Sequence, residues 1–165
     1  MSSEAEQTPA PLNRDGYPAD EPFEFPHERV LAATITESPL STVEAETTAG
    51  NERAGAVVVF SGIVRNHDAG QPVTRLDYSA HPSAQQVLTD VATTIAAKHP
   101  TVRIYAAHRI GSLQVGDHAL VAAVASAHRA EAFEACAELV ETIKAEVPIW
   151  KKQHFTGGSS EWVGL

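Results

Sequence analysis

The chain has 165 residues, 43% of them hydrophobic and 20% charged, the composition of an ordinary globular protein with one packed core. Its net charge of −9 sits at the front: residues 1–52 carry 11 acidic and 2 basic side chains, whereas residues 53–165 carry ten of each. A balanced main body offers no basic face for nucleic acid, and no apolar run approaches the roughly 18 residues of a membrane span.

The single cysteine, Cys136, rules out an internal disulfide framework and suits a reducing compartment. The opening residues (MSSEAEQTPAP) lack a basic and then apolar leader, so the cytoplasm is the expected location.

Residues 1–26 are rich in Pro, Glu, Asp and Ser and have no periodicity, which predicts a disordered acidic extension ahead of one domain over residues 27–165. RVLAATIT (29–36) suits a first strand, and a short helix is expected between Pro39 and Ala49. AGAVVVFSGIVR (54–65) is a continuous Val/Phe/Ile run, the pattern of a strand buried on both faces. The polar NHDAG stretch follows, and VTRLDYSA (73–80) alternates like the returning strand of a hairpin. A helix capped by Ser83 or the residue before it should run to Lys98, with Val87, Leu88, Val91 and Ile95 at helical spacing.

TVRIYAAHRIG (101–111) reads as a strand, SLQVGD as a turn, and HALVAAVASAH (118–128) as a further buried strand. The last long helix covers about 129–146, with Phe133, Cys136, Val140, Ile143 and Val147 on one face and Lys144 at its rim. Pro148 ends it; an extended PIWKKQ segment, a Gly-Gly turn and a short final strand complete the chain. The irregular alternation of elements predicts an α+β fold, a single domain of mixed and antiparallel strands with two main helices.

Three groups of residues could carry chemistry. Lys144 and Lys151 stand seven apart on either side of the Pro148 break, so one ammonium can sit on each side of a corner. Converging lysines are unfavourable unless an anion lies between them or one yields its proton, although exposed Lys-Lys pairs such as Lys151-Lys152 are commonplace. His128 and Arg129 open the last helix, where free N–H groups favour anions; the plainer alternative is a solvent-facing Arg129 beside a His128 packed in a turn. Arg65 stands where a strand opens into a loop, a place for a functional group or a salt bridge. His108-Arg109 reads as structural and Cys136 as inert packing. The eight histidines form neither HExxH nor a Cys/His set, so no metal site is expected.

Taken together and in order, GIVRNH, HRIGSLQVGD, SAHR and KAEVPIWK resemble the large, catalytic subunit of molybdopterin synthase, over about residue 29 to Val163. The resemblance implies an α/β-hammerhead-type fold and sulfur transfer in molybdenum-cofactor biosynthesis. In that reaction the thiocarboxylated C-terminal Gly-Gly of a small ubiquitin-like partner supplies sulfur to cyclic pyranopterin monophosphate (precursor Z), without a metal or other cofactor. It implies a central homodimer with a small subunit at each end. Carried over by position, Lys144 and Lys151 are the catalytic lysines, and Val64, Arg65, His128, Arg129, Lys152 and Gln153 contact the substrate. Three departures stand out: Ile63 where some relatives have a lysine, a tail that stops at Leu165, and the acidic front extension. Two other readings share the fold: a non-catalytic scaffold, and an enzyme acting on a different phosphorylated heterocycle.

Overall fold

A computed structural model describes residues 26–165; the extension expected over residues 1–26 lies outside them but for Pro26. A 3-10 turn (Pro26–Arg29) leads into β1 (Val30–Thr36), α1 (Thr42–Ala49), β2 (Ala56–Ile63), β3 (His67–Asp68) and β4 (Gln71–Ala80). Then come α2 (Ala84–Lys98), β5 (Arg103–Arg109), β6 (Gly111–Gln114), β7 (His118–Ser126), α3 (Arg129–Glu146), β8 (Ile149–Phe155) and β9 (Ser160–Gly164). The α+β expectation holds, with three helices and two sheets.

The first sheet has the order β1-β5-β7-β2, with β1 parallel to β5 and the other pairs antiparallel. Its inner strand β7 is buried from Ala119 to Ser126 because both faces are covered. On one face α2 and α3 bring Leu88, Ile95, Leu139 and Ile143 against Ile104, Ala122 and Val124. On the other, α1 lays Ala45 and Ala49 on Tyr105, Val121 and Ala123. Small residues at these positions let the helix approach the sheet closely. The buried Arg29 donates from its guanidinium to the carbonyls of Ala96, His99 and Val102, satisfying the end of α2.

Four expectations need correction. β2 is not enclosed: it is the sheet's edge, and its residues are only half-buried although Val58 and Phe60 pack on one face and Val57 and Val59 on the other. β4 does not return beside β2. The tight hairpin forms inside the polar loop instead, where Ala69 (φ 47°) and Gly70 (φ 78°) join β3 to β4 with two left-handed residues, the geometry favoured for two-residue hairpins. SLQ is not turn but most of β6, paired with Arg75–Tyr78 of β4. Phe133 leaves the apolar face of α3 and is 62% exposed. Ser83 does occupy the N-cap of α2, but its hydroxyl meets His81 Nδ1 and caps no helix N–H.

The second sheet follows the order β3-β4-β8-β9, with β6 on β4. The chain crosses between sheets at Val64–Asn66, and Val64 is pinned there by Val64 N–H to Asp117 O (3.0 Å) and Gly116 N–H to Val64 O (2.9 Å). Residues of both sheets share one core, from Leu76, Leu113 and Ile149 to Leu120 and Val124.

Candidate functional site

Where the two sheets meet the end of α3 lies a hollow of about 380 Å³. Arg65 reaches it from the β2–β3 crossing, Lys144 from the last turn of α3, Lys151 and Gln153 from β8, Tyr78 from β4 and His108 from the end of β5. Helix α3 stops because Pro148 cannot continue it, and Val147 turns to extended backbone (φ −74°, ψ 121°). β8 then runs antiparallel to β4. The strand's two-residue period sends Lys151 and Gln153 to one side and Lys152 to the other. The corner therefore places Lys144 and Lys151 on one cavity.

Lys151 is half-buried, and burial weakens its hold on its proton. The positive charges of Arg65 and Lys144 act in the same direction, while the Asp68 carboxylate opposes them. Asp68 Oδ2 accepts from Gln153 Nε2 at 2.7 Å, and Oδ1 accepts from Arg65 at 3.3 Å. The Gln153 hydrogen bond, together with the Lys151 and Arg65 charges, holds the Asp68 carboxyl below the usual carboxylate range. Lys144 and Arg65 are exposed where they line the hollow.

Behind the lysines, His108 packs edge-to-face on Tyr78, with ring centroids 5.2 Å apart. Its Nδ1 pairs with Arg109 O at 2.8 Å. Burial, reinforced by the Lys144 charge, pushes the imidazole down to about 4, and burial pushes the Tyr78 phenol up to about 12, so both are neutral at pH 7. The unfolded histidine, near its ordinary value of 6.5, takes up its proton first as the pH falls. His108 thus supports the fold fully above about pH 6.5, and this support is lost as the pH falls toward about 4. The expected loss from pH 7 to pH 5 is about 2 kcal/mol. Urea midpoints at the two pH values check it: His108→Gln should show a flatter dependence than the wild type in this window.

The other sequence-derived residues divide. Val64 is buried and lines the hollow, its backbone N–H and carbonyl already engaged. Lys152 faces away, its ammonium 5.5 Å from the centroid of the Trp162 ring. His128 and Arg129 are exposed at the start of α3, 15 residues from Lys144 and so about 22 Å along the helix. A single copy does not bring them to the hollow. Cys136 is buried and its thiol is pushed up to about 11, consistent with packing alone. Sequence reasoning missed Asp68 and Tyr78 and read His108 as structural. The β4–β8 register that gathers these side chains has no local sequence signal.

Among known proteins, the family described as MoaE protein matches residues 35–146. The chain is 45% identical over 133 residues to the molybdopterin synthase catalytic subunit of Nostoc sp., covering 79% of this chain and 81% of that protein. It is 43% identical to molybdopterin synthase catalytic subunit 1 of Mycobacterium tuberculosis, over 79% and 88% of the two chains. The crystal structure of molybdopterin synthase from Staphylococcus aureus superposes with a TM-score of 0.75 at 39% identity, covering 79% of this chain and 96% of that one.

Proposed function

The chain belongs to the MoaE family, and on that premise we propose that it is the catalytic subunit of a molybdopterin synthase, with the hollow between Lys144 and Lys151 as its active site. The observation that carries this reading is the meeting of two lysines and an arginine from three separate segments on one cavity. Relatives named as catalytic subunits imply an assembly, and the partner that fits is a small ubiquitin-like protein ending in a Gly-Gly thiocarboxylate. Its tail is an anion narrow enough for a cavity whose mouth carries Lys144. Lys144 steers the thiocarboxylate and stabilises the charge that shifts as its sulfur bonds to the side chain of the cyclic pyranopterin monophosphate; water then cleaves the acyl–sulfur bond, so the sulfur stays on the pterin and the partner's tail leaves as a carboxylate. Arg65 holds the substrate's phosphate. Lys151, with its weakened hold on its proton, moves protons as the cyclic phosphate opens and water leaves.

His128 and Arg129 form a second anion-binding pair on free helix N–H groups. Because about 22 Å of helix separates them from Lys144, they join the same substrate only when a second copy brings its own α3 start to the hollow. This is the role of the proposed homodimer.

The test is reconstitution. The full chain, a thiocarboxylated small subunit and cyclic pyranopterin monophosphate are combined, and the dithiolene product is followed as its fluorescent oxidised derivative. Product formation with loss of the thiocarboxylate is expected. Tight binding of the small subunit without product would leave only a scaffold.

A further inference from the structure

Among the described residues, three cations face the hollow and no Asp or Glu side chain lines it. Such a wall repels itself until an anion arrives. The nearest compensation stands just behind the lining. Asp68, on the two-residue strand β3, holds buried Gln153 at 2.7 Å with one oxygen and Arg65 at 3.3 Å with the other, and its charge acts on Lys151. We infer that Asp68 is a positioning residue of this pocket, a resident carboxylate that gathers Arg65, Gln153 and Lys151 onto one wall and stands in for the substrate's anion until it binds. For its meaning in catalysis the inference rests on the function proposed above.

The two contacts differ in kind. The Gln153 amide is 3% exposed and its bond is short, so it fixes the carboxylate in place. The Arg65 side chain is 65% exposed, and its pair with Asp68 is long. An exposed pair of this sort contributes little, so Arg65 is free to exchange Asp68 for a phosphate, which offers more charge and a two-pronged contact. Asp68 then remains opposite Lys151 alone. The left-handed Ala69 and Gly70 that follow tie the carboxylate's position to a tight turn. The charges acting on Lys151 are Asp68 from β3, Arg65 from the crossing and Lys144 from α3; Tyr78, its partner on β4, and His67 and His108 line the same hollow, and its β9 neighbour, Val163, is apolar. Of these, Asp68 is the one that favours the charged amine.

Competitive labelling of the full chain with acetic anhydride at pH 8, read by mass spectrometry, tests this without reference to sulfur transfer. Asp68→Asn keeps an acceptor for Gln153 and removes the charge. With the charge that favours the ammonium removed, Lys151 should then label at least about threefold faster than in the wild type, while Lys152 stays constant. Arg65→Gln changes an exposed side chain, removes a cation and leaves Asp68 undivided, so Lys151 should label more slowly. Unchanged Lys151 reactivity in both variants, or an equal rise at Lys152 in Asp68→Asn, overturns the inference. A wild type that labels as expected but makes no dithiolene would instead overturn the proposed function and leave the electrostatic role of Asp68 standing.

Discussion

Lys144→Ala should lower the single-turnover rate of sulfur transfer by about 10²–10³-fold, the range seen when one preorganised charge-stabilising group is removed. The side chain projects from the last turn of α3 at the open mouth of the hollow. The apolar work of that helix is done by Ala132, Ala135, Cys136, Leu139, Val140 and Ile143. Alanine is a strong helix former, so truncation at this exposed position should change stability by no more than about 0.5 kcal/mol. Rapid-quench measurement on the preformed complex, beside thermal melts and partner affinity, separates the chemical loss from any loss of fold or docking. An equal fall in affinity and rate would make Lys144 a docking residue instead.

Lys151→Ala should lower the rate by a comparable 10²–10⁴-fold, the usual range for a positioned proton-transfer group. Burial lowers the proton affinity of this amine, and the Arg65 and Lys144 charges add to the effect. The rate profile of the wild type should therefore show a group titrating below the ordinary lysine range, and that limb should vanish in the variant. Lys151→Arg should not restore activity, because a guanidinium keeps its proton at any working pH and its planar fork needs more room. Restoration by arginine would reduce Lys151 to a fixed positive charge. The same variant at Lys152, whose ammonium rests near Trp162 on the opposite face of β8, should leave transfer near the wild-type rate.

What could be read from the chain itself depended on how local the cause was. The extent of helix α3 was legible because its open N-terminus and the Pro148 stop are written within about 20 residues, although its apolar spacing placed Phe133 on the wrong face. The Lys144–Lys151 corner followed from the same stop. β2 looked doubly buried because both of its faces do carry packing residues; its place at the edge is decided by the order of four strands distant in sequence. The supposed β2–β4 hairpin failed for a related reason. Residues 64–66 carry the chain from one sheet to the other, and the true turn, Ala69-Gly70, lies a few residues later. The same non-local pairing conceals Asp68, which acquires its role only when β8 swings Gln153 alongside it. The distance between Arg129 and Lys144, by contrast, was present in the sequence as 15 helical residues, and helix geometry alone separates them.

At the centre of the proposed chemistry stand two amines from different elements, Lys144 and Lys151, lining one hollow. The most direct test is single-turnover loss of the small subunit's thiocarboxylate in the preformed complex carrying both Lys144→Ala and Lys151→Ala, with cyclic pyranopterin monophosphate in excess. The structure predicts that the double variant binds its partner yet leaves the thiocarboxylate intact over many wild-type half-lives. Consumption at the wild-type rate, with dithiolene appearing, would place the chemistry elsewhere on the molecule and contradict the account.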